Sequence, residues 1–148
     1  MSRMIKKVEA FSRRGVVLEN DRWSWGGERP DGTLVLQVWE DDFKKLATGK
    51  WAVQIGYPEV DDGIVTDHER SRPGSRERQR HIEAIRSGSV RSVELLKGHP
   101  VAGSNPRETQ GIDGDRYGLA GALITIDHTA WIECASWQDF RRWTPAPG

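Results

Sequence analysis

The chain has 148 residues, of which 22 are basic and 22 are acidic, so its formal net charge is zero. This length favours one domain, residues 1–148, with a core of its own. The single cysteine, Cys134, excludes an internal disulfide and a cysteine-rich zinc site.

The charges are segregated along the chain even though they cancel. Residues 70–91 contain seven arginines and two glutamates, and residues 1–14 contain five basic residues and one acidic residue. Residues 19–42 contain seven acidic residues and two arginines. Such a distribution can give a neutral protein a basic face and an acidic face. Alternatively, the blocks pair with each other and leave no net patch.

The first predicted element is an amphipathic helix over residues 3–14. Met4, Val8 and Phe11 fall on one apolar stripe at helical spacing. Gly15 follows at the position where helices commonly end. The N-terminal residues lack the apolar run of a signal peptide, and no segment approaches the roughly 20 apolar residues of a membrane span. We therefore expect a cytoplasmic protein with no membrane partner.

A β-hairpin carrying three tryptophans is predicted next, around a turn at Pro30-Asp31-Gly32. Its second strand, residues 33–40, alternates between a face with Leu34, Leu36 and Val38 and a face with Val35, Gln37 and Trp39.

The register of this hairpin decides what its tryptophans do. If Glu28 pairs with Thr33, then Trp23 and Trp25 share the leucine face and pack in the core, and Arg22 lies opposite Trp39 for a cation–π contact. A one-residue bulge at Gly32 would exchange these faces. Trp39, beside Gln37, is the better candidate for stacking on a ligand.

The remaining elements complete an α+β pattern. We predict a strand at 50–56, a helix at 75–87, a strand at 90–96, a closing hairpin of 121–126 with 131–135, a short helix at 137–143, long loops at 57–73 and 98–118, and a frayed tail at 144–148. The order predicts a mixed or antiparallel sheet that can curl into a small barrel. Long loops in a compact domain are often functional, so a binding mouth is expected near these two.

Aromatic planes together with clustered arginines are typical of nucleic-acid binding. Asn20, Asp21 and Arg22 offer groups that can read the edge of a base. The plain alternative is an Asx turn in which Asp21 pairs with Arg22.

The predicted helix 75–87 is rich in arginine. Arg76 and Arg80 are four residues apart and can reach neighbouring phosphates, while the first helical turn offers free N–H groups. The alternative is a solvated face that pairs with Glu83 or with the acidic hairpin. The candidate nucleic-acid-binding residues are Asn20, Asp21, Arg22, Trp23, Trp25, Trp39, Arg76, Arg78, Arg80 and His81, although a histidine such as His81 more often lies at the edge of a core.

Catalysis has no positive support in the sequence. The acidic runs at 40–42 and 61–62 could hold a divalent metal, but Glu94 and Lys97 are spaced one residue too far apart for the Glu-x-Lys pattern of metal-dependent nucleases. No phosphate-binding loop, nucleophile elbow or histidine pair at metal-ligand spacing occurs. We expect no catalytic residue, metal or cofactor. The alternatives to DNA binding are a metal-dependent nuclease and a protein-interaction domain.

Four segments carry a resemblance: Asn20-Asp-Arg-Trp-Ser-Trp-Gly, Pro30-Asp-Gly-Thr, Val38-Trp-Glu-Asp and Arg76-Glu-Arg-Gln-Arg-His-Ile-Glu. Over about residues 15–90 the chain resembles a family of small bacterial proteins that occur alone or beside restriction-type nuclease domains. Its element order is similar to that of the PUA-like group, whose EVE, ASCH and SRA modules bind modified bases in an aromatic pocket.

The resemblance implies double-stranded DNA, methylated DNA included, as the partner. A methylated cytosine would be flipped out and stacked on a tryptophan, with residues 20–22 at its edge. The arginines at 76, 78 and 80 would hold the DNA backbone.

Overall fold

The computed structural model describes residues 4–58, 73–104, 108–139 and 144. Within these ranges the elements are β1 (Met4–Ile5), α1 (Lys7–Arg13), β2 (Gly26–Glu28), β3 (Thr33–Trp39), a 3₁₀ turn (Glu40–Asp42), β4 (Phe43–Lys45), β5 (Trp51–Pro58), α2 (Pro73–Arg86), β6 (Ser92–Pro100), β7 (Thr109–Asp113), β8 (Arg116–Ile126) and β9 (Thr129–Asp139).

The strands form one curled sheet, a half-barrel accompanied by two helices. The order is β1-β7-β6-β8-β9-β5-β4, with β3 on the other edge of β6 and β2 beyond β3. The β3–β6 pair is parallel, from Thr33 opposite Ser92 to Trp39 opposite Gly98. The other described pairs are antiparallel. A curled, mixed sheet in an α+β chain therefore agrees with the expected architecture.

Strand β3 separates two apolar clusters. Its inner face joins the half-barrel core, whose main members are Leu34, Leu36, Val38, Val53, Leu95, Ile132 and Ile82 of α2. Its outer face, which we call the α1 face, carries Val35, which packs with Phe11, Leu96 and Ile112. The alternation predicted for residues 33–40 is confirmed as far as Trp39, where the strand ends. Burial of both faces explains why β3 is apolar at nearly every position.

The N-terminal helix is shorter than predicted and buries a different stripe. Residues 4 and 5 form β1 against β7, so the helix begins only at Lys7. Ala10 and Phe11 are buried, whereas Met4 and Val8 are 49% and 48% exposed. The predicted stripe of Met4, Val8 and Phe11 was wrong because pairing with β7 extends the start of the segment.

The register predicted for the tryptophan hairpin was wrong by one residue. The Arg29 N–H donates to Thr33 O and the Gly32 N–H donates to Arg29 O, so Glu28 pairs with Leu34. Gly32 has a φ of 88°, as expected for a turn that ends in a left-handed residue and a bulge. Trp25 therefore lies opposite Gln37, on the α1 face.

The C-terminal third contains more strand than the sequence indicated. β6 continues to Pro100, and β7 and the start of β8 occupy described parts of the predicted loop 98–118. Residues 137–139 extend β9 instead of beginning a helix. Pairing with β6 and β8 determines these segments, which carry little apolar patterning of their own. The predicted closing hairpin is confirmed, with Asp127 and His128 at positive φ in its turn.

Most of the predicted loop 57–73 and of the tail lies outside the described residues. In the part of the chain that is described, no helix combines the length and apolarity that crossing a bilayer needs.

Candidate functional site

Two indoles meet where β3 ends on the α1 face. The ring centroids of Trp25 and Trp39 are 5.5 Å apart, and the ring planes are tilted by 52°. Both side chains are partly exposed. Gln37 lies between them in the ladder, since its N–H donates to Trp25 O and Trp39 follows two residues later. We call Lys7, Trp25, Gln37 and Trp39 the tryptophan cluster.

Lys7 of α1 holds a positive charge against the first indole. Its Nζ lies 4.2 Å from the Trp25 ring centroid and donates to the carbonyl oxygens of Ser24 (2.9 Å) and Arg22 (3.3 Å). Burial lowers the pKa of Lys7, against the opposing influence of the Glu77 and Asp21 carboxylates. The ammonium is therefore fixed in place by one ring and two backbone carbonyls.

The segment before β2 is held rigidly to α2. Glu77 is 2% exposed, and its carboxylate accepts hydrogen bonds from Ser24 Oγ (2.7 Å) and from the Trp25 N–H (2.9 Å). Asn20 Oδ1 accepts from the Arg22 and Trp23 N–H groups. Asn20 is thus an Asx-turn residue, which is one part of the plain alternative, and it fixes the backbone that leads into the cluster.

The candidate nucleic-acid-binding residues of the segment 20–23 differ in exposure. The side chains of Asp21 and Arg22 are exposed, whereas Trp23 is partly buried. Arg22 lies in a turn outside the β2–β3 ladder, so the predicted position opposite Trp39 was wrong. Trp25 leaves the leucine face predicted for it. Trp39 shares a mixed face with Gln37, as predicted.

The arginines of α2 have different surroundings. Gly74, in the first turn, lies against the Trp23 carbonyl and the Trp25 indole, so the positive end of the helix dipole faces the cluster. Arg76, two residues further on, is exposed and makes no ion pair with the described residues. Arg80 is exposed and pairs with Glu19 at 3.0 Å, so the basic and acidic blocks pair at this point.

Arg78 binds to the fold itself, whereas the partly buried His81 leaves its Nδ1 without a hydrogen-bond partner in the described chain. The Arg78 guanidinium donates to the carbonyl oxygens of Gln37 (2.7 Å), Trp25 (3.2 Å) and Ile55 (3.2 Å). Burial, together with the charges of Arg78 and Arg80, lowers the pKa of His81 to about 4. His81 is thus neutral at pH 7 and lies at the edge of the core. Arg78 positions the strands beneath the cluster.

The amide of Gln37 is the most unusual feature of the cluster. The residue is 2% exposed. Both its Nε2 and its Oε1 are buried, and neither has a hydrogen-bond partner in the described chain. The amide lies over Gly98 of β6, where a Cβ would clash with it. No sequence pattern indicated this arrangement, because glutamine at an alternating strand position normally faces solvent.

A second polar group lies nearby on the α1 face. Glu94 of β6 binds the Arg29 guanidinium through two hydrogen bonds of 2.8 Å and also binds Arg14. All three residues are buried. We call Arg14, Arg29 and Glu94 the buried ionic cluster. Its only signal in the sequence is a glutamate between apolar residues of a strand.

The acidic residues 40–42 form no metal site with other described side chains, and residues 61–62 lie outside the described residues. Among the described residues, no group of three or more histidine, cysteine, aspartate or glutamate side chains is placed to hold a metal ion. Instead, Glu40 Oε2 lies 3.0 Å from His99 Nδ1, and Asp113 Oδ1 lies 2.6 Å from His99 Nε2. Burial would lower the pKa of His99, but its hydrogen bonds to Asp113 and Glu40 raise it.

Comparisons with protein-family models, with curated proteins and with solved structures gave no match. The function of the chain must therefore be inferred from its geometry alone.

Proposed function

We propose that the protein is a DNA-binding module that takes one unstacked base onto the tryptophan cluster. The observation that carries the proposal is the partly exposed pair of Trp25 and Trp39 beside a fixed ammonium. Base–indole stacking contributes about 1–3 kcal/mol per base and tolerates any sequence, because every base has a π face.

Exposed cations near the cluster can contact phosphates. The backbone of Arg22 accepts a hydrogen bond from Lys7, and Arg76 lies in the helical turn that meets Trp25. Neither arginine makes an ion pair with the residues described. Phosphate contacts of this kind position a nucleic acid and supply affinity without reading sequence. Arg78 is left out of the proposed interface because the fold already uses its guanidinium, and His81 is left out because it is a neutral, partly buried side chain at the edge of the core.

The finer proposal is that the base is modified and the fold is PUA-like. The half-barrel with an aromatic site at its side is compatible with that group, whose modules accept a base that has left the duplex stack. A methyl group would add apolar contact with an indole. The proposal therefore extends to methylated duplex DNA as the preferred ligand.

Binding of fluorescently labelled oligonucleotides tests the proposal. Anisotropy would be measured for methylated duplex, unmethylated duplex and single-stranded DNA at about 50 and about 200 mM salt. We expect salt-dependent binding by the native chain. The variant Trp39→Ala should bind about tenfold more weakly, as loss of one stacked base predicts.

The matched control is Trp51→Ala, which removes an exposed indole at the start of β5. It should leave affinity unchanged within about twofold. Equal losses in the two variants, or no binding by the native chain at either salt concentration, would contradict the proposal. Circular dichroism of both variants verifies that they fold.

A further inference from the structure

The unpaired amide of Gln37 has no structural explanation within the described chain. Buried side-chain polar atoms in folded proteins nearly always have a hydrogen-bond partner, and an unpaired one lowers stability. Gln37 leaves both its donor and its acceptor unpaired while 2% exposed. A buried group that weakens the fold in this way is best explained by a partner that arrives from outside.

The position of the amide defines where that partner would lie. Gln37 and Trp39 follow each other on the α1 face of β3, and Trp25 lies opposite Gln37. The missing side chain at Gly98 provides the space that the amide occupies. The amide therefore lies on the same face of the sheet as the two indoles, over β6.

The chemistry of the amide limits the class of partner. One planar carboxamide presents N–H donors and a carbonyl acceptor side by side. Its complement is a planar group with an adjacent acceptor and donor, which the edge of a nucleobase supplies. Adenine is the favoured match, since glutamine binds its N7 acceptor and its N6 donor together. A phosphate offers only acceptors and would leave the amide carbonyl unpaired.

We propose that Gln37 reads the edge of the base that stacks on Trp25 and Trp39, and that adenine is the preferred base. This inference rests on the proposed function and adds which base the DNA-binding site prefers. Because Gln37 is 2% exposed, a base that stacks on the partly exposed indoles can reach the amide only after the side chains that bury it move. Hydrogen bonds between the base and the Gln37 amide then remove the loss of stability that the unpaired amide causes in the ligand-free chain.

The experiment compares the native chain with Gln37→Met, which keeps the length of the side chain and removes its donor and acceptor. Both proteins would be titrated with oligonucleotides that differ at one central position: adenine, guanine, cytosine, thymine or an abasic residue. The native chain should bind the adenine oligonucleotide about tenfold more tightly than the oligonucleotides with the other three bases, and more tightly still than the abasic one. Gln37→Met should keep the abasic affinity and reduce the differences among the bases to about twofold. Gln79→Met, at an exposed glutamine of α2, serves as the matched control.

The possible outcomes separate the two proposals. If Gln37→Met keeps the native ranking of the five oligonucleotides, the role of Gln37 is overturned while DNA binding stands. If the native chain prefers another base and Gln37→Met loses that preference, the reading role stands and the choice of adenine is overturned. If the native chain binds none of the oligonucleotides, both proposals fail. Circular dichroism and an unfolding curve establish that Gln37→Met is folded.

Discussion

Two buried polar groups lie on the same face of the sheet and differ in one respect. In the buried ionic cluster, Glu94 is bound by two guanidinium groups. Four residues further along β6, the Gln37 amide lies over Gly98 with its Nε2 and Oε1 unpaired in the described chain. The Glu94 carboxylate has its hydrogen-bond partners within the chain, whereas the Gln37 amide has none among the described residues. Between these two groups, hydrogen bonding distinguishes a carboxylate whose partners lie within the fold from an amide that lacks partners in the described chain.

The largest expected effect comes from breaking the complete group. Glu94→Ala removes the buried carboxylate that Arg14 and Arg29 share, while Arg29 keeps its ion pair with Asp31. The loss of the shared carboxylate should destabilise the protein by about 3–5 kcal/mol. Chemical denaturation followed by tryptophan fluorescence measures this loss. The control is Glu9→Ala, which removes the exposed partner of Arg13 and should cost about 0.5 kcal/mol or less. Similar losses of unfolding free energy in both variants would show that the buried ionic cluster stabilises the protein no more than a surface ion pair.

A buried titratable side chain can become neutral and so avoid the free-energy cost of burying a charge. His81 is an example. Its pKa is about 4 in the folded chain and about 6.5 when unfolded. Above pH 6.5 both states are neutral. As the pH falls from 6.5 to 4, the unfolded state takes up the proton first, so the fold loses about 3 kcal/mol.

Unfolding curves between pH 7 and pH 4 test this, with His81→Gln expected to flatten the dependence. His99→Gln acts in a higher pH window, because the raised pKa of His99 contributes stability that is full below about pH 6.5 and is lost as the pH rises through the folded pKa. This variant should therefore cost stability at about pH 6 and cost less as the pH rises above about 7. Parallel pH profiles for the native chain and His81→Gln would contradict the assignment.

An amide has no charge to lose, so Gln37 should show the smallest effect and the opposite sign. Gln37→Met removes two unpaired buried atoms and should stabilise the fold by about 1–2 kcal/mol. The denaturation midpoint measures this gain, and the exposed Gln79→Met should change stability by about 0.5 kcal/mol or less. A clear loss of stability in Gln37→Met would indicate that the amide is paired in solution.

Sequence patterns were reliable where a single element decides its own structure. The alternation in β3, the helix α2 and the closing hairpin follow from local spacing and turn residues. The register of the tryptophan hairpin failed because one bulged residue at Gly32 moves Trp25 to the other face. The sequence offered this bulge as an alternative, but residue order alone did not decide between the two registers.

The site itself depends on contacts between distant segments, and this is why it was only partly predictable. Trp25, Trp39 and the arginines of α2 could be named as candidates, but nothing local relates Gln37 to Gly98. The role of Arg78 depends on carbonyl oxygens from three separate strand segments. Arg14 and Glu94 are 80 residues apart. Patterns within a window of a few turns cannot encode such pairs.

The parallel pairing of β3 with β6 also bears on how the molecule reaches its native state. It joins Thr33 to Ser92 and Trp39 to Gly98, so a long intervening loop must close before these contacts are made. A peptide comprising only the hairpin would lack the strand beneath its glutamine. During refolding, the chain is therefore expected to gain ligand binding late. Binding should appear at the same time as the backbone amides of β3 become protected from hydrogen exchange.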